Sequence, residues 1–163
     1  MNFSIYTSTL LSLAAISTGL MAGIYFAFSS FVMPAFKNIE EKQAIAAMTS
    51  INDTILRSWF MPLFFGSSII SAILLFSIWT QSYSPNSNLI IFACITYLTG
   101  MLLCTAIFNV PLNKALAKAG AANLESHITW SGYLKNWTFW NHVRMIASLF
   151  SCIIFTYALT QVS

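Results

Sequence analysis

Charged side chains are scarce in this sequence: 7% of its 163 residues are Asp, Glu, Lys or Arg, whereas 58% are hydrophobic. A soluble domain carries roughly a quarter charged residues. A chain with so few cannot cover a water-facing surface, so we expect its solvent to be a lipid bilayer. The net charge of +3 is small and its cations are scattered. This excludes nucleic acid as a partner, because binding phosphates requires clustered basic residues.

Cysteine and histidine are also rare. Cys94, Cys104 and Cys152 each lie inside a long apolar run, and an odd count without close spacing predicts neither a disulfide framework nor a CxxC metal site. One of the two histidines, His127, falls in a predicted connection, which excludes a bis-His haem site within the bundle. No glycine-rich phosphate motif or carboxylate cluster is present. The sequence therefore predicts no metal and no cofactor.

Three long stretches contain no charge: one ends at Phe36, one runs from Ser58 to Asn113, and one follows Arg144. About 20 apolar residues cross a bilayer, and the polar patch Tyr83–Asn88 divides the middle stretch. The sequence predicts an all-α integral membrane four-helix bundle, a single domain over residues 1–163. We expect helices at about 3–36, 58–81, 89–113 and 137–161, with longer connections at about 37–57 and 114–136.

All seven cations lie in or beside the two longer connections. They are Lys37, Lys42, Arg57, Lys114, Lys118, Lys135 and Arg144. Because Lys and Arg concentrate in cytoplasmic loops, we expect a multi-pass protein of a bacterial-type inner membrane with both termini outside and both basic connections in the cytoplasm. On this interpretation Arg144 is a cytoplasmic anchor at the foot of the fourth helix.

Two helical patterns occur within the longer connections. In the first, Ile45, Met48, Ile51 and Ile55 recur at helical spacing, which predicts a short amphipathic helix on the membrane surface. In the second, four aromatic residues share one helical face. These are Trp130, Tyr133, Trp137 and Trp140. An aromatic belt at the lipid headgroups is one interpretation, and a wall of a ligand pocket is the other.

The first predicted helix carries a small residue at every fourth position, and the two halves of the chain resemble each other. Small residues allow close helix packing, either within the bundle or in a homo-oligomer through the Gly19/Gly23 face.

Pro34 and Pro111 occupy similar segments 77 residues apart, and Trp59 matches Trp140. This similarity predicts two helical hairpins forming a parallel internal repeat, related by an axis along the membrane normal.

Polar residues concentrate in the second half, near the ends of the third and fourth helices. They include Asn109, Asn113, Asn141 and His142. At about 100° per residue, Asn141, Arg144 and Ser148 share the inward side of the fourth helix with Trp137, and His142 lies on the border. Asn113 is expected at the interface, and Asn109 either repairs backbone near Pro111 or binds a ligand.

Several segments together resemble the anthrone oxygenase-like family of small integral membrane proteins. They are Ala22–Phe28, Val32–Ala35, Trp59–Pro62, Asn109–Asn113 and Trp137–Arg144. The resemblance implies a four-helix membrane fold. Characterised members, largely fungal, oxidise polyketide anthrones to anthraquinones without an evident metal or flavin. The resemblance thus implies a cofactor-independent oxidation of a phenolic or quinone-type aromatic by dioxygen.

Such a reaction requires a base, donors that hold the substrate anion, and a dry cavity. His142 is the candidate base, because histidine titrates near neutral pH. Asn141 and Arg144 are candidate catalytic donors; the candidate substrate-binding residues are Asn109, Asn113, Trp137 and Trp140. Whether the chain is an enzyme stays open. The alternative is a non-catalytic module that binds a quinone or lipid or supports a partner protein, and a small transporter or channel is a third class.

Overall fold

The computed structural model describes residues 3–80, 87–120 and 124–161, which are almost entirely helical. Four helices are long and apolar enough to cross a membrane. We call them helices one to four, and they comprise Ile5–Phe36, Phe60–Thr80, Ser87–Ala119 and His127–Thr160. A shorter helix, Glu41–Ile55, connects helices one and two and is called the interfacial helix. The prediction of an all-α, four-helix, multi-pass membrane protein is confirmed.

Each helix of the bundle packs against its neighbours in sequence, and helix four returns to pack along helix one. Small residues allow these close approaches. A Cβ atom added at Gly100 would lie 2.5 Å from the Cβ atom of Ala147, so helices three and four meet where only glycine fits. A Cβ atom at Gly19 would lie 3.2 Å from the Cys152 Sγ atom, whereas one at Gly23 would have nothing within 4 Å. Gly19 therefore serves packing within the bundle.

Helices three and four extend further than the sequence predicts, at the end of the bundle where the basic connections lie. We call this the basic end; it carries Lys37, Lys42, Arg57, Lys114, Lys118 and Lys135. Helix three continues to Ala119, and Gly120, with φ of 66°, follows it. The last helix begins at Leu124, 13 residues before the predicted start at residue 137. Residues 83–86 of the predicted polar turn lie outside the described residues.

The interfacial helix covers the basic end of the bundle. Its residues Ala44, Ile45 and Met48 are buried against Leu116, Tyr133 and other residues from helices one, three and four. Glu41 Oε2 lies 2.7 Å from His127 Nδ1, which joins the start of this helix to the start of helix four. The predicted short amphipathic helix is present, and protein covers its apolar face because helices three and four extend far enough to reach it.

Three of the four aromatic residues of the predicted row lie inside the bundle, so the row does not form a belt at the lipid headgroups. Trp130, Tyr133 and Trp137 are buried and stack on one another within the bundle. Instead, Trp59 and Trp79 flank helix two with 88% and 84% of their surfaces exposed. Their 20-residue separation corresponds to about 30 Å along a helix, which is the thickness of the hydrocarbon core. These two tryptophans have the exposure and spacing of residues at the two membrane interfaces.

Helices one and three each contain wider π-helical turns before a proline. The turns comprise Phe28–Val32 in helix one and Thr105–Asn109 in helix three, and a further π-helical turn, Leu98–Leu103, precedes the second of these. Phe28 and Thr105 are separated by the same 77 residues as Pro34 and Pro111, so the two halves share a backbone irregularity as well as a sequence motif. Proline lacks an N–H donor and clashes with the preceding helical turn, which favours local rearrangement there. The internal repeat stays a prediction that this coincidence supports.

Candidate functional site

A cavity of about 280 Å³ lies within the bundle toward its basic end. Every helix of the protein contributes to its wall, which is largely apolar. The interfacial helix supplies Met48 and Ile51, and helix two supplies Phe60 and Phe64. This volume is near the lower end of the range of small-molecule sites, which is about 300–1,000 Å³. The cavity therefore suits a compact and mostly apolar ligand.

Arg144 is the one charged side chain among the described residues that line this cavity, and it is only 5% exposed. Its Nη2 atom donates to Asn141 Oδ1 at 2.7 Å, and its Nη1 atom lies 3.4 Å from Thr105 Oγ1. Among the described side chains, no carboxylate forms an ion pair with it. The cavity wall thus contains a cation whose charge the described protein does not neutralise.

Two aromatic rings hold the guanidinium group of Arg144. Its Cζ atom lies 4.4 Å from the ring centroid of Tyr25 and 5.1 Å from that of Trp137. A cation over an aromatic face is stabilised by the ring quadrupole, by about 1–2 kcal/mol per ring. These rings partly replace the hydration that Arg144 loses in the bundle, and they leave its positive charge available to a ligand.

Asn141 also fixes the position of Arg144, through a hydrogen bond rather than a ring contact. Its Nδ2 atom donates to the backbone oxygen of Tyr25 at 2.7 Å and to Ser29 Oγ at 2.6 Å. Ser29 lies in the π-helical turn of helix one, so that irregular turn and the arginine are joined through a single amide side chain. With its Nδ2 atom held in this way, the Oδ1 atom of Asn141 is directed at Arg144.

Five buried polar atoms of cavity-lining residues have no hydrogen-bond partner among the described residues. They are Tyr25 Oη, Asn52 Nδ2, Asn109 Oδ1, Trp137 Nε1 and Arg144 Nε. The three nitrogen atoms are donors, the Asn109 oxygen is an acceptor, and the Tyr25 hydroxyl can be either. Buried polar atoms are nearly always paired, so a cluster of unpaired ones around a cavity indicates a ligand site. The ligand that this set matches has an acceptor oxygen and a hydroxyl donor on an apolar body.

The two asparagines of helix three contact helix four. Asn109 Nδ2 lies 3.4 Å from the backbone oxygen of Trp137, and Asn113 Oδ1 accepts from the Tyr133 hydroxyl at 2.8 Å. Asn109 therefore does not repair the backbone of its own helix near Pro111, which was one of the two interpretations. Asn113 is half-buried and lines the cavity, rather than lying free at the interface.

The structure brings together five of the seven residues proposed from sequence. Asn109, Asn113, Trp137, Asn141 and Arg144 all line the cavity. The expectation that Arg144 is an anchor at the membrane surface is wrong, because helix four begins well before it and places residue 144 near the middle of the helix. The prediction that residues 141, 144 and 148 face inward is confirmed by their burial.

His142 and Trp140 lie outside the cavity lining. His142 is exposed on the outer surface of helix four, because one residue turns the helix by about 100° away from buried Asn141. This corrects the expectation that its ring borders the cavity. Trp140 instead stacks on Phe108, with ring centroids 3.6 Å apart and planes within 4°. The candidate base and one of the candidate stacking surfaces are thus not part of the cavity.

Sequence reasoning missed the contributions of helix one and of the interfacial helix. Tyr25 and Phe28 of helix one face Arg144 and Trp137, respectively. Tyr25 belongs to one of the segments that carry the family resemblance, which was the available signal. Among the described residues, no group of three or more His, Cys, Asp or Glu could hold a metal ion.

A family model described as anthrone oxygenase matches residues 57–154, which is more than half of the chain. The matched region includes helices two and three and most of helix four, and hence most of the cavity wall. Searches of curated proteins and of solved structures each gave no significant match.

Proposed function

Because the chain belongs to the anthrone oxygenase family, we propose that it binds a planar hydroxyarene of the anthrone or hydroquinone type in the Arg144 cavity and promotes its oxidation by dioxygen. The observation that carries this proposal is the buried, unneutralised charge of Arg144 at the wall of an apolar cavity. A charged side chain inside a membrane protein is costly and usually serves function. The natural counterpart of this cation is an anionic oxygen on an otherwise apolar ligand.

The chemistry of an anthrone fits this arrangement. Loss of a proton from the carbon opposite the carbonyl gives an enolate, whose oxygen carries much of the negative charge. Arg144 Nε and Trp137 Nε1 can donate to that oxygen, and Asn109 Oδ1 can accept from a ring hydroxyl. The enolate then reduces dioxygen. In the complete reaction the methylene carbon becomes a carbonyl, one oxygen atom enters the quinone, and the other leaves as water.

The role proposed for the protein is to stabilise the anion rather than to supply a strong base. Among the described residues that line the cavity there is no Asp, Glu or His. Arg144 lowers the free energy of the enolate, so that a water molecule can accept the substrate proton. In this account His142 does not act as the base.

The lack of Asp, Glu and His among the described lining residues also favours a second candidate function. A cavity with an anion-stabilising cation but without a carboxylate or imidazole also suits a non-catalytic module that binds a hydroxyquinone. The two functions predict the same binding and differ in oxygen consumption.

Turnover with a matched variant tests the proposal. Membranes containing the protein should convert added anthrone to anthraquinone and consume one dioxygen per product, faster than membranes containing the Arg144→Met variant at equal protein levels. Equal rates in both membranes would contradict the proposed catalysis. Alizarin binding to the wild type without any turnover of anthrones or hydroquinones would instead support the binding module.

We also propose that the basic end faces the cytoplasm of a bacterial-type inner membrane. With Arg144 inside the bundle, six cations remain at this end, and they follow the distribution of cations typical of cytoplasmic loops. A reporter enzyme that is active only outside the cytoplasm should give signal when fused after Ser163 and none when inserted at Gly120. Signal at Gly120 would reverse the orientation.

A further inference from the structure

In the described bundle, the residues of the cavity wall reach the protein surface on one side only. The cavity-lining residues that are exposed are Leu56, Phe65, Ala106 and Val110. Leu56 and Phe65, for example, expose 63% and 51% of their surfaces. Leu56 lies in the turn between the interfacial helix and helix two, Phe65 lies near the start of helix two, and the other two lie in the second half of helix three. The residues contributed by helices one and four, including Tyr25 and Trp137, are buried or half-buried.

Helices two and three are arranged so that they separate at this level. Their contacts are concentrated on Ser87–Tyr97 and Leu98–Leu103 of helix three, toward the opposite end of the bundle. There the hydroxyl groups of Ser67 and Tyr97 lie 2.7 Å apart and join the two helices. The exposed cavity-lining residues of helix three, Ala106 and Val110, follow Leu103 in the chain, in and just after the second π-helical stretch of that helix.

Direct access from the water at the basic end is covered by a layer of packed side chains. Met33, Met48, Leu116, Trp130 and Tyr133 form one buried cluster between the cavity and the ends of the helices. The exposed rim between helices two and three is apolar, and Phe65 lies six residues beyond Trp59, or about 9 Å along the helix axis. If exposed Trp59 marks the interface, Phe65 faces acyl chains rather than water, and Leu56, three residues before Trp59, lies at the interface itself.

We propose that the gap between helices two and three, rimmed by Leu56, Phe65, Ala106 and Val110, is a lateral portal through which an uncharged, membrane-dissolved hydroxyarene enters the cavity from the bilayer. This inference rests on the ligand class of the proposed function and adds its route and its charge state on entry. The apolar rim admits a neutral ring system and rejects an ionised, water-soluble one, because an ion would lose its hydration there without a partner. The cation that matches the ligand anion, Arg144, lies beyond the rim and is reached only after entry.

The portal is tested by binding rates rather than by turnover, with the protein in liposomes. The probes are alizarin, at a pH where it is neutral, and its sulfonated derivative, which carries a permanent charge. Binding is followed by the quenching of tryptophan fluorescence after rapid mixing. The association rate of alizarin should increase with the amount of alizarin per lipid, and the sulfonate should not bind. Sulfonate binding as fast as alizarin binding, or no alizarin binding at all, would overturn the portal.

A rim variant sharpens the test. Ala106→Phe narrows the portal, and we expect it to slow alizarin association and dissociation together by about tenfold or more. Ala115→Phe, also exposed on helix three but outside the cavity lining, is the matched control and should change neither rate. Val110→Phe is a second rim variant if Ala106→Phe does not fold. Unchanged rates in a folded rim variant refute the portal even if anthrones are oxidised, whereas slowed rates without any turnover support the portal and refute the catalytic proposal.

Discussion

Replacing Arg144 with methionine removes the buried charge while keeping most of the side-chain volume. If this cation exists to bind an anionic ligand, its loss should abolish function at little cost to stability. If it is instead a structural link between helices one, three and four, its loss should unfold the bundle. The two roles therefore predict opposite results for one substitution.

The magnitudes follow from the contacts of Arg144. A charge in a membrane helix costs up to about 2.5–3.5 kcal/mol, the value at the bilayer centre, and the substitution recovers this cost. Against this, Asn141 Oδ1 loses its donor, at about 1–3 kcal/mol, and the contacts with the Tyr25 and Trp137 rings are lost, at about 1 kcal/mol each. The sum is close to zero, so the free energy of unfolding should stay within about 2 kcal/mol of the wild type.

The loss of ligand stabilisation is much larger. An anionic oxygen about 4 Å from the guanidinium group gains about 4 kcal/mol at an effective dielectric constant of about 20. This corresponds to about a thousandfold in anion affinity. Thermal unfolding in detergent and titration with alizarin at a pH where it is ionised measure both quantities on one sample. Arg57→Met, at an exposed cation outside the cavity lining, is the control and should leave both unchanged. A strongly destabilised Arg144→Met variant that still binds the anion with wild-type affinity would refute the reasoning.

Three further substitutions test separate parts of the account. Asn141→Asp places a carboxylate where Oδ1 accepts from Arg144, so it should reduce anthrone oxidation by about a hundredfold or more. Because it also removes the donor to the Tyr25 carbonyl, it should lower the melting temperature, and the rates are compared at equal amounts of folded protein; undiminished turnover would contradict the role of the free charge. Gly100→Ala should destabilise the bundle by about 1–3 kcal/mol in thermal unfolding, because its Cβ atom would collide with Ala147. Gly66→Ala has open space and is the control, and equal melting temperatures for the two would disprove the close contact. His142→Ala should keep alizarin affinity and anthrone turnover within about twofold of the wild type, since His142 lies outside the cavity lining; loss of turnover with intact binding would restore it as the base.

The fold was predictable because membrane insertion imposes strong rules on sequence. The absence of charge over three stretches defined four helices, and the helical projection of the fourth helix identified the burial of residues 141, 144 and 148. The helical projection depends only on the angle of about 100° between successive residues, so it predicts which side of the helix faces the bundle.

The distance of a residue from the end of its helix was not predictable in the same way. Arg144 was placed at a membrane surface because the start of helix four was predicted at residue 137, whereas the helix begins at Leu124. Charged and polar residues are compatible with a helix that continues beyond the bilayer, so composition alone does not give its end. The same extension brings Tyr133 and Leu116 against the interfacial helix and makes that helix part of the cavity wall.

The candidate site was predicted in part, for a related reason. The inward residues of helices three and four were identified, but Tyr25 and the π-helical turn of helix one depend on contacts between distant segments, such as the hydrogen bond from Asn141 to the Tyr25 backbone. His142 was favoured by its chemistry alone, and its exposed position follows from the single residue that separates it from Asn141.

The central claim is that Arg144 stabilises the anion of a hydroxyarene bound in the cavity, and the ionisation of bound alizarin measures this directly. Alizarin changes colour on losing its phenolic proton and does not consume dioxygen. Its absorbance is followed against pH while it is bound to the wild type and to Arg144→Met at saturating protein. An interaction of about 4 kcal/mol predicts that the anion forms about 3 pH units lower in the wild-type complex than in the variant complex. The same midpoint in both complexes would contradict the claim.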